Sequence, residues 1–326
     1  MARFKIVRLE FRSPLHLGRG LGEAYDTAEK TLHSDTLSGA LTSAFCMLCP
    51  DKDPLIFMKS FKVSSAFPFV DEHFFMPKPL TRVNLSFSEG DGYEQKKKIK
   101  KIEYFEIPLW QHLISGSKIV VSENNLSSGG RFLFNKENIG VEPFKDELQQ
   151  RVTVSRDRGD SKPYFVDRRH FSEKAGLFFF LDTDDNNVLL IRKILDYLKD
   201  IGFGTDKSVG NGQFSHEISS IDLETNNNYP KQMLISLACP SKDEISRDIL
   251  KGGSYLLTRR GGFIAGTSLN RFRHLRKKSV YMFQEGSIFP IGNFEGKIVN
   301  VRPEWNDSSL HQVYRDGRSF LIPVNI

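Results

Sequence analysis

The sequence predicts an α+β protein, and three observations predict it. The first half runs β-α-β…β-α-β in outline, the split βαβ order of ferredoxin-like domains. A glycine-rich loop at residues 202–214 follows the second helical segment. Beyond a linker-like stretch at 226–230 the chain becomes β-rich, which reads as a second α+β domain.

Taken in order, Phe4, Ile6 and Arg8 alternate with Lys5, Val7 and Leu9 at a period of two, which is a first strand. The loop after it carries Gly18, Gly20, Gly22 and the basic Arg19. Leu37, Leu41, Ala44, Phe45 and Leu48 then recur at helical spacing, with Ser34 or Asp35 placed to cap the helix. Residues 61–69 and 73–77 read as two short strands with prolines near their ends. From 84 to 148 the periodicity fades, so this stretch is an insertion. Its lysine run at 96–101 reads as a solvated face or a basic finger.

Residues 151–171 are two β-prone runs around a polar tip, a hairpin. Arg156, Arg158, Arg168 and Arg169 flank Tyr164, Phe165 and Phe171 there. That mixture suits base stacking and phosphate contact, or else ion pairs with Asp157, Asp160 and Asp167. Residues 176–181 are wholly apolar, which marks a central strand, and 188–199 form an amphipathic helix ended by Gly202. In the second half, 232–239, 254–263 and 317–324 read as strands, 243–251 as a short helix and 280–289 as a hairpin. The division is an N-terminal domain at 1–225, with the insertion and the hairpin, and a C-terminal domain at 231–326.

The glycine loop carries the chemistry. Gly202, Gly204, Gly210 and Gly212 allow φ > 0 and a close backbone approach, and successive inward N–H groups would form an anion nest completed by Thr205, Lys207 and Ser208. A phosphate backbone suits such a nest, while a glycine C-cap leading into a strand explains the same residues without a ligand. The dinucleotide fingerprint is excluded, because Gly202-x-Gly204-x-x reaches Lys207 instead of a third glycine. The P-loop is excluded because Asp206 stands where glycine must precede Lys-Ser.

Charge agrees with an anionic partner. The 326 residues carry a formal +6, and residues 251–326 hold 12 Lys/Arg against 5 Asp/Glu. The 27 phenylalanines, against two tryptophans, supply core and stacking faces. Cys46, Cys49 and Cys239 make neither a disulfide framework nor a zinc site, since the CxxC pair lies in a helical pattern without a second ligand pair. The first residues lack the apolar region of a signal peptide and no apolar run approaches a membrane span, so a cytoplasmic location is expected.

Residues 32–41 after the first strand, 202–214 after the second helix and 311–317 near the end resemble the RAMP superfamily. Within it they are most similar to the fourth subunit of Csm-type (type III-A) CRISPR effectors. That resemblance implies two RRM-like domains with the glycine loop near their junction and a protruding hairpin at 151–171. It also implies a non-catalytic role: holding the repeat-derived 5′ tag of the crRNA and capping the complex beside the large polymerase-like subunit and the adjacent backbone RAMP subunit. The hairpin would interrupt guide–target pairing by displacing a base of the target RNA near the tag. Tag contacts would fall on Arg19, Gly202, Gly204, Lys207, Ser208, Gly210, Gly212, Arg259 and Arg260. Arg271 and Arg273, with Tyr255, Phe263 and Phe272, offer the same cation–aromatic mixture that unpaired RNA uses.

Two other classes compete. A metal-independent endoribonuclease for CRISPR precursor RNA needs a general base and acid, for which His16 and His33 are the candidates. A glycine loop followed by more than a hundred residues argues against it. A general RNA chaperone is the third, distinguished by binding RNA without partners. No cofactor or metal is expected.

Overall fold

A computed structural model describes residues 2–19, 26–136, 140, 142–155, 159–264, 270–272 and 274–326. Its first half contains β1 (Ala2–Phe11), α1 (Ser34–Leu48), α2 (Pro54–Lys59), β2 (Phe61–Val63), β3 (Phe67–Val70), β4 (His73–Pro77), β5 (Leu85–Phe87), α3 (Gly92–Lys101), β6 (Tyr104–Glu106), α4 (Ile107–Ile114), β7 (Ile119–Val121), β8 (Phe132–Leu133), β9 (Phe144–Val154), β10 (Ser161–Phe171), β11 (Ala175–Thr183), α5 (Asp185–Ile201) and β12 (Phe214–Leu223). The second half adds β13 (Lys231–Leu234), α6 (Lys242–Ser246), β14 (Leu257–Arg260), β15 (Val280–Phe283), β16 (Ile288–Pro290), β17 (Gly296–Asn300), β18 (Tyr314–Arg318) and β19 (Leu321–Val324).

The main sheet runs β12-β1-β11-β3-β4-β6-β8, with β2 also paired to β11. β1 lies antiparallel between β11 and β12, and α1 and α5 are the two crossover helices. This is the split βαβ order. Alternation sends Val7 and Leu9 of β1, and Leu177, Phe179 and Leu181 of β11, under α1 and α5. Ile6, Phe178 and Phe180 point the other way, into a core shared with Trp110 and Phe132 of the insertion and Met233, Phe320 and Ile322 of the second half. A strand covered on both faces has no water side, which is why 176–181 carries no polar residue.

The described part of the insertion is folded. Its strands are two to three residues long, too short to show a period, yet Phe105, Trp110, Phe132 and Phe134 are buried. The lysine run lies on α3, which has no fully buried residue, rests Ile99 against the core and pairs Lys98 with Glu123. Residues 61–69 form two strands instead of one, and 280–289 is not a hairpin, because β15 pairs with β14 and β16 with β13. The hairpin strands begin at Phe144 and reach Phe171 in register.

The second half is mostly β. A three-stranded sheet β16-β13-β19 is joined by the pairs β14-β15 and β17-β18, and among the described residues its one α-helix spans five residues. It therefore shows no second split βαβ unit. It also shares a core with the first half, and residues 226–230 turn tightly, Tyr229 N–H donating to the Asn226 carbonyl at 3.1 Å. No helix among the described residues is long and apolar enough to cross a membrane.

Phe180 sits at the seam, its ring 5.7 Å from Phe4 and 6.0 Å from Phe320. Phe180→Ala is expected to cost about 3–5 kcal/mol, measured as a lower urea midpoint at an unchanged denaturant slope.

Candidate nucleic-acid interface

The glycines of the loop serve the loop itself. At Gly202 (φ 83°) a Cβ would meet the Asn211 carbonyl, at Gly204 (φ 94°) that of His16, and at Gly212 (φ 75°) that of Phe203. Only at Gly210 is the space open. The amides of Gly202, Phe203, Thr205, Val209, Gly210 and Gly212 donate to carbonyls of Leu198, Gly212, His16, Asp206, Lys207 and Pro14. Those six amides are spent within the fold and take no part in the expected anion nest. What the loop offers is a crown with Lys207, Ser208 and Gly210 exposed.

Two hairpin arginines are also committed inward. Arg168 is buried and ion-paired to Asp206, which also accepts from Asn211 at 2.9 Å. Arg169 donates to Asp146 (2.7 Å) and to the Lys30 carbonyl (2.6 Å), and lies 3.6 Å from the Phe144 ring centroid. They anchor the hairpin base and are not free to contact phosphate. Farther out the two faces differ. Leu148, Val152 and Phe165 share one exposed face by register, and Arg151 lies opposite Tyr164 on the other. Arg156 and Arg158 lie outside the described residues.

Arg260, expected to contact RNA, is 11% exposed and grips Asp35 with two hydrogen bonds of 3.0 Å. Asp35 is the reason: its side chain is 0% exposed and also paired with Arg315. It does not cap α1; His33 occupies the cap position, and Ser34 Oγ instead accepts from Leu237 N–H at 2.8 Å. α1 therefore has a second buried face, polar, on which Ser38 donates to Asp316 (2.9 Å) and Ser65 joins His33 at Glu285. This face binds the two halves together. Glu285 was not singled out from sequence; Asp35 was read only as a helix cap, and the remaining signal was that Asp35 and Arg315 lie inside the 32–41 and 311–317 motifs.

The histidines are occupied too. His16 is 2% exposed and its Nδ1 donates to the Asp167 carbonyl at 2.6 Å. His33 donates to Glu285 at 2.7 Å and faces Glu29 at 3.8 Å. Burial disfavours its charge, but the Glu285 charge and the hydrogen bonds to Glu285 and Glu29 outweigh this and raise its pKa to about 9. A histidine already protonated at neutral pH is a poor general base. Burial raises the Cys46 and Cys239 thiols, and among the described residues no three His, Cys, Asp or Glu cluster as metal ligands.

Residues 13–19 and 26–30 tie these parts into one surface. Gly18 lies against Thr205, where a Cβ would come within 2.8 Å of its methyl. Leu15 exchanges 2.9 Å backbone hydrogen bonds with Arg169, and Ala28 N–H donates to Asp167 at 3.2 Å. Glu29 receives Arg260 at 3.3 Å. The crown, the hairpin base and β14 therefore adjoin one another, with Arg19, Lys207 and Arg259 exposed along them. Arg259 faces the exposed Tyr281 across the β14-β15 pair and donates to Ser279 at 3.2 Å. Arg271 is exposed but held by Asp307 (3.3 Å) and Ser309 (2.5 Å); Arg273 lies outside the described residues.

A split βαβ core with a long hairpin, and a glycine loop packed beside the seam with the second half, define a mixed α+β class of fold that solved Csm4 structures share. Within that class it resembles Csm4. Residues 227–324 match the family described as the CRISPR Csm4 C-terminal domain. A Csm4 protein of Thermococcus onnurineus (strain NA1) is 23% identical over 305 residues, covering 90% of this chain and 91% of its own. The chain also superposes on a solved Csm3-Csm4 subcomplex of a type III-A CRISPR-Cas interference complex (TM-score 0.63, 19% identity, 99% of this chain and 100% of that one). A Csm1-Csm4 cassette bound to cA4 gives TM-score 0.61 and 19% identity over 99% and 98% of the two chains.

The junction makes stability depend on pH. Because folding raises His33 from 6.5 to about 9, its contribution is complete below pH 6.5 and is lost as pH rises through 9. Its size is roughly 3 kcal/mol. Burial pushes Lys277 down to about 8, a change of opposite sign in the same range. The clean readout is the difference between wild type and His33→Gln: it should shrink steadily from pH 7 to pH 10 in urea titrations.

Proposed function

We propose that this chain is a non-catalytic subunit of a type III-A CRISPR interference complex that binds the repeat-derived 5′ tag of the crRNA. The observation that supports it is the adjacency of three segments far apart in sequence, the Arg19 loop, the Lys207 crown and β14, along one basic seam. Unpaired RNA is held by phosphate contacts and by stacking on aromatic or guanidinium planes, and the seam offers both. Lys207, Ser208, Gly210, Arg19 and Arg259 are the tag contacts in this reading. Gly202, Gly204, Gly212 and Arg260 act by holding the surface that presents them.

By analogy with the structures it resembles, the chain sits against Csm1-type and Csm3-type subunits and caps the complex beside the large one. Its outer hairpin, with Arg151, Tyr164 and Phe165, interrupts pairing between guide and target RNA, and Arg156 and Arg158, outside the described residues, are assigned to the same role from sequence. Arg271, exposed, and Arg273, outside the described residues, are further candidate RNA contacts from sequence. The endoribonuclease reading has less support, because both candidate histidines are enclosed and already hydrogen-bonded.

Guide occupancy in the reconstituted complex is expected to fall for Lys207→Ala and for Arg259→Ala without a change in melting temperature. Each should also lower the salt slope of RNA binding by about 0.7, the value for one single-strand phosphate contact. Unchanged occupancy in both variants would overturn the reading. Repeat RNA should remain intact with or without EDTA. EDTA-resistant cleavage at the tag boundary that disappears in His16→Ala or His33→Ala would establish the nuclease instead.

A further inference from the structure

We propose that a cavity in the second half takes one unpaired nucleobase carrying an exocyclic amine, in a slot separate from the glycine crown. The inference rests on the reading of the chain as an RNA-binding subunit. The cavity is an open cleft of about 260 Å³ between the start of β13, the segment after α6 and the segment leaving β16. Its lining includes Ile249 and the exposed Ile291, its floor Gln232, and its rim Arg247 and Asp248, with the buried Phe289 and Phe294 behind them. This is below the roughly 300–1,000 Å³ that encloses a drug-sized ligand, and far above the roughly 30 Å³ of one water. It suits a single ring system whose sugar and phosphate stay outside.

The polar groups narrow the occupant. Gln232 is buried, and its Nε2 donates to the Gly292 carbonyl at 3.1 Å, which fixes the amide orientation. Its Oε1 then has no hydrogen-bond partner among the described residues, and neither do the exposed side chains of Arg247 and Asp248. Two acceptors, one inside and one at the rim, call for an amine on the ligand. The guanidinium beside them matches a phosphate. An apolar protein side chain would fill the walls but leave the Gln232 oxygen covered and unpaired, which costs free energy. Asp248 is held at φ 57°, a left-handed conformation that aspartate tolerates better than most residues.

The cavity continues the basic seam. Phe289 stacks on Tyr255 at 6.0 Å and 12°. Tyr255, 38% exposed, lies just before β14, whose Arg259 faces the 65% exposed Tyr281. A strand held at Arg259 thus meets two stacking surfaces on the way to the slot.

Saturation-transfer NMR on the full chain with 5′-AMP, 5′-CMP and 5′-UMP tests this. AMP or CMP base protons should receive saturation, with UMP several-fold weaker. Gly292 lines the cavity, and a Cβ there meets nothing within 4 Å. Gly292→Trp should abolish the signal, and Arg247→Ala should weaken binding about tenfold, both at an unchanged melting temperature. No signal from any nucleotide at millimolar concentration, or a signal that survives Gly292→Trp, overturns the proposal. So does a Gly292→Trp chain that binds nucleotides normally but no longer assembles with a Csm1-type subunit, since the slot then holds a protein side chain. Lys207→Ala on repeat RNA reports the crown separately, so failure of the slot and failure of the tag-binding reading are distinguishable.

Discussion

A single enclosed carboxylate organises the molecule. Asp35 lies in the first turn of α1 with no access to water, and burial alone would drive it neutral. Arg260 and Arg315 more than reverse that, holding it well below the usual carboxylate range. Losing one partner of such a buried pair typically costs 3–5 kcal/mol, because the remaining charges stay desolvated. The arrangement therefore specifies one docking of the second half onto α1. Through Glu29 the same Arg260 reaches the loop that carries Gly18 and Arg19, and that loop packs on the glycine crown.

The basic residues consequently divide into two working groups. Arg168, Arg169, Arg260 and Arg315 are spent on Asp206, Asp146 and Asp35 and give the surface its shape. Lys207, Arg19 and Arg259 stay in solvent, where long-range attraction to an anion is still available. A positive chain that kept every arginine exposed would have charge but no defined groove. Here Arg168, Arg169 and Arg260, all singled out by sequence, build the groove along which Lys207, Arg19 and Arg259 stay exposed.

Much of the fold was legible in the chain. The period-two alternation of β1, the apolar run of β11 and the 3.6-residue pattern of α1 and α5 each report a local rule that tertiary packing did not overturn. The insertion was not legible, because strands of two or three residues carry no period and their burial comes from aromatic partners far away in sequence. The supposed hairpin at 280–289 failed for a related reason. Adjacent β-prone runs do pair often, yet β15 and β16 each found a better edge elsewhere.

The site divided in the same way. Glycine spacing, the aromatic–cation mixture and the excess of positive charge were properties of the sequence by itself, and they determined that an anionic, base-bearing partner was the one to look for. Which arginine faces solvent was decided only by tertiary structure. A guanidinium is identical in composition whether it meets a phosphate or an aspartate, and Asp35 stands 225 residues from Arg260 and 280 from Arg315. The glycines make the same point. Their freedom at φ > 0 was readable from the sequence, but only the folded chain shows that it is used to pack the loop on residues 14–16 and on itself.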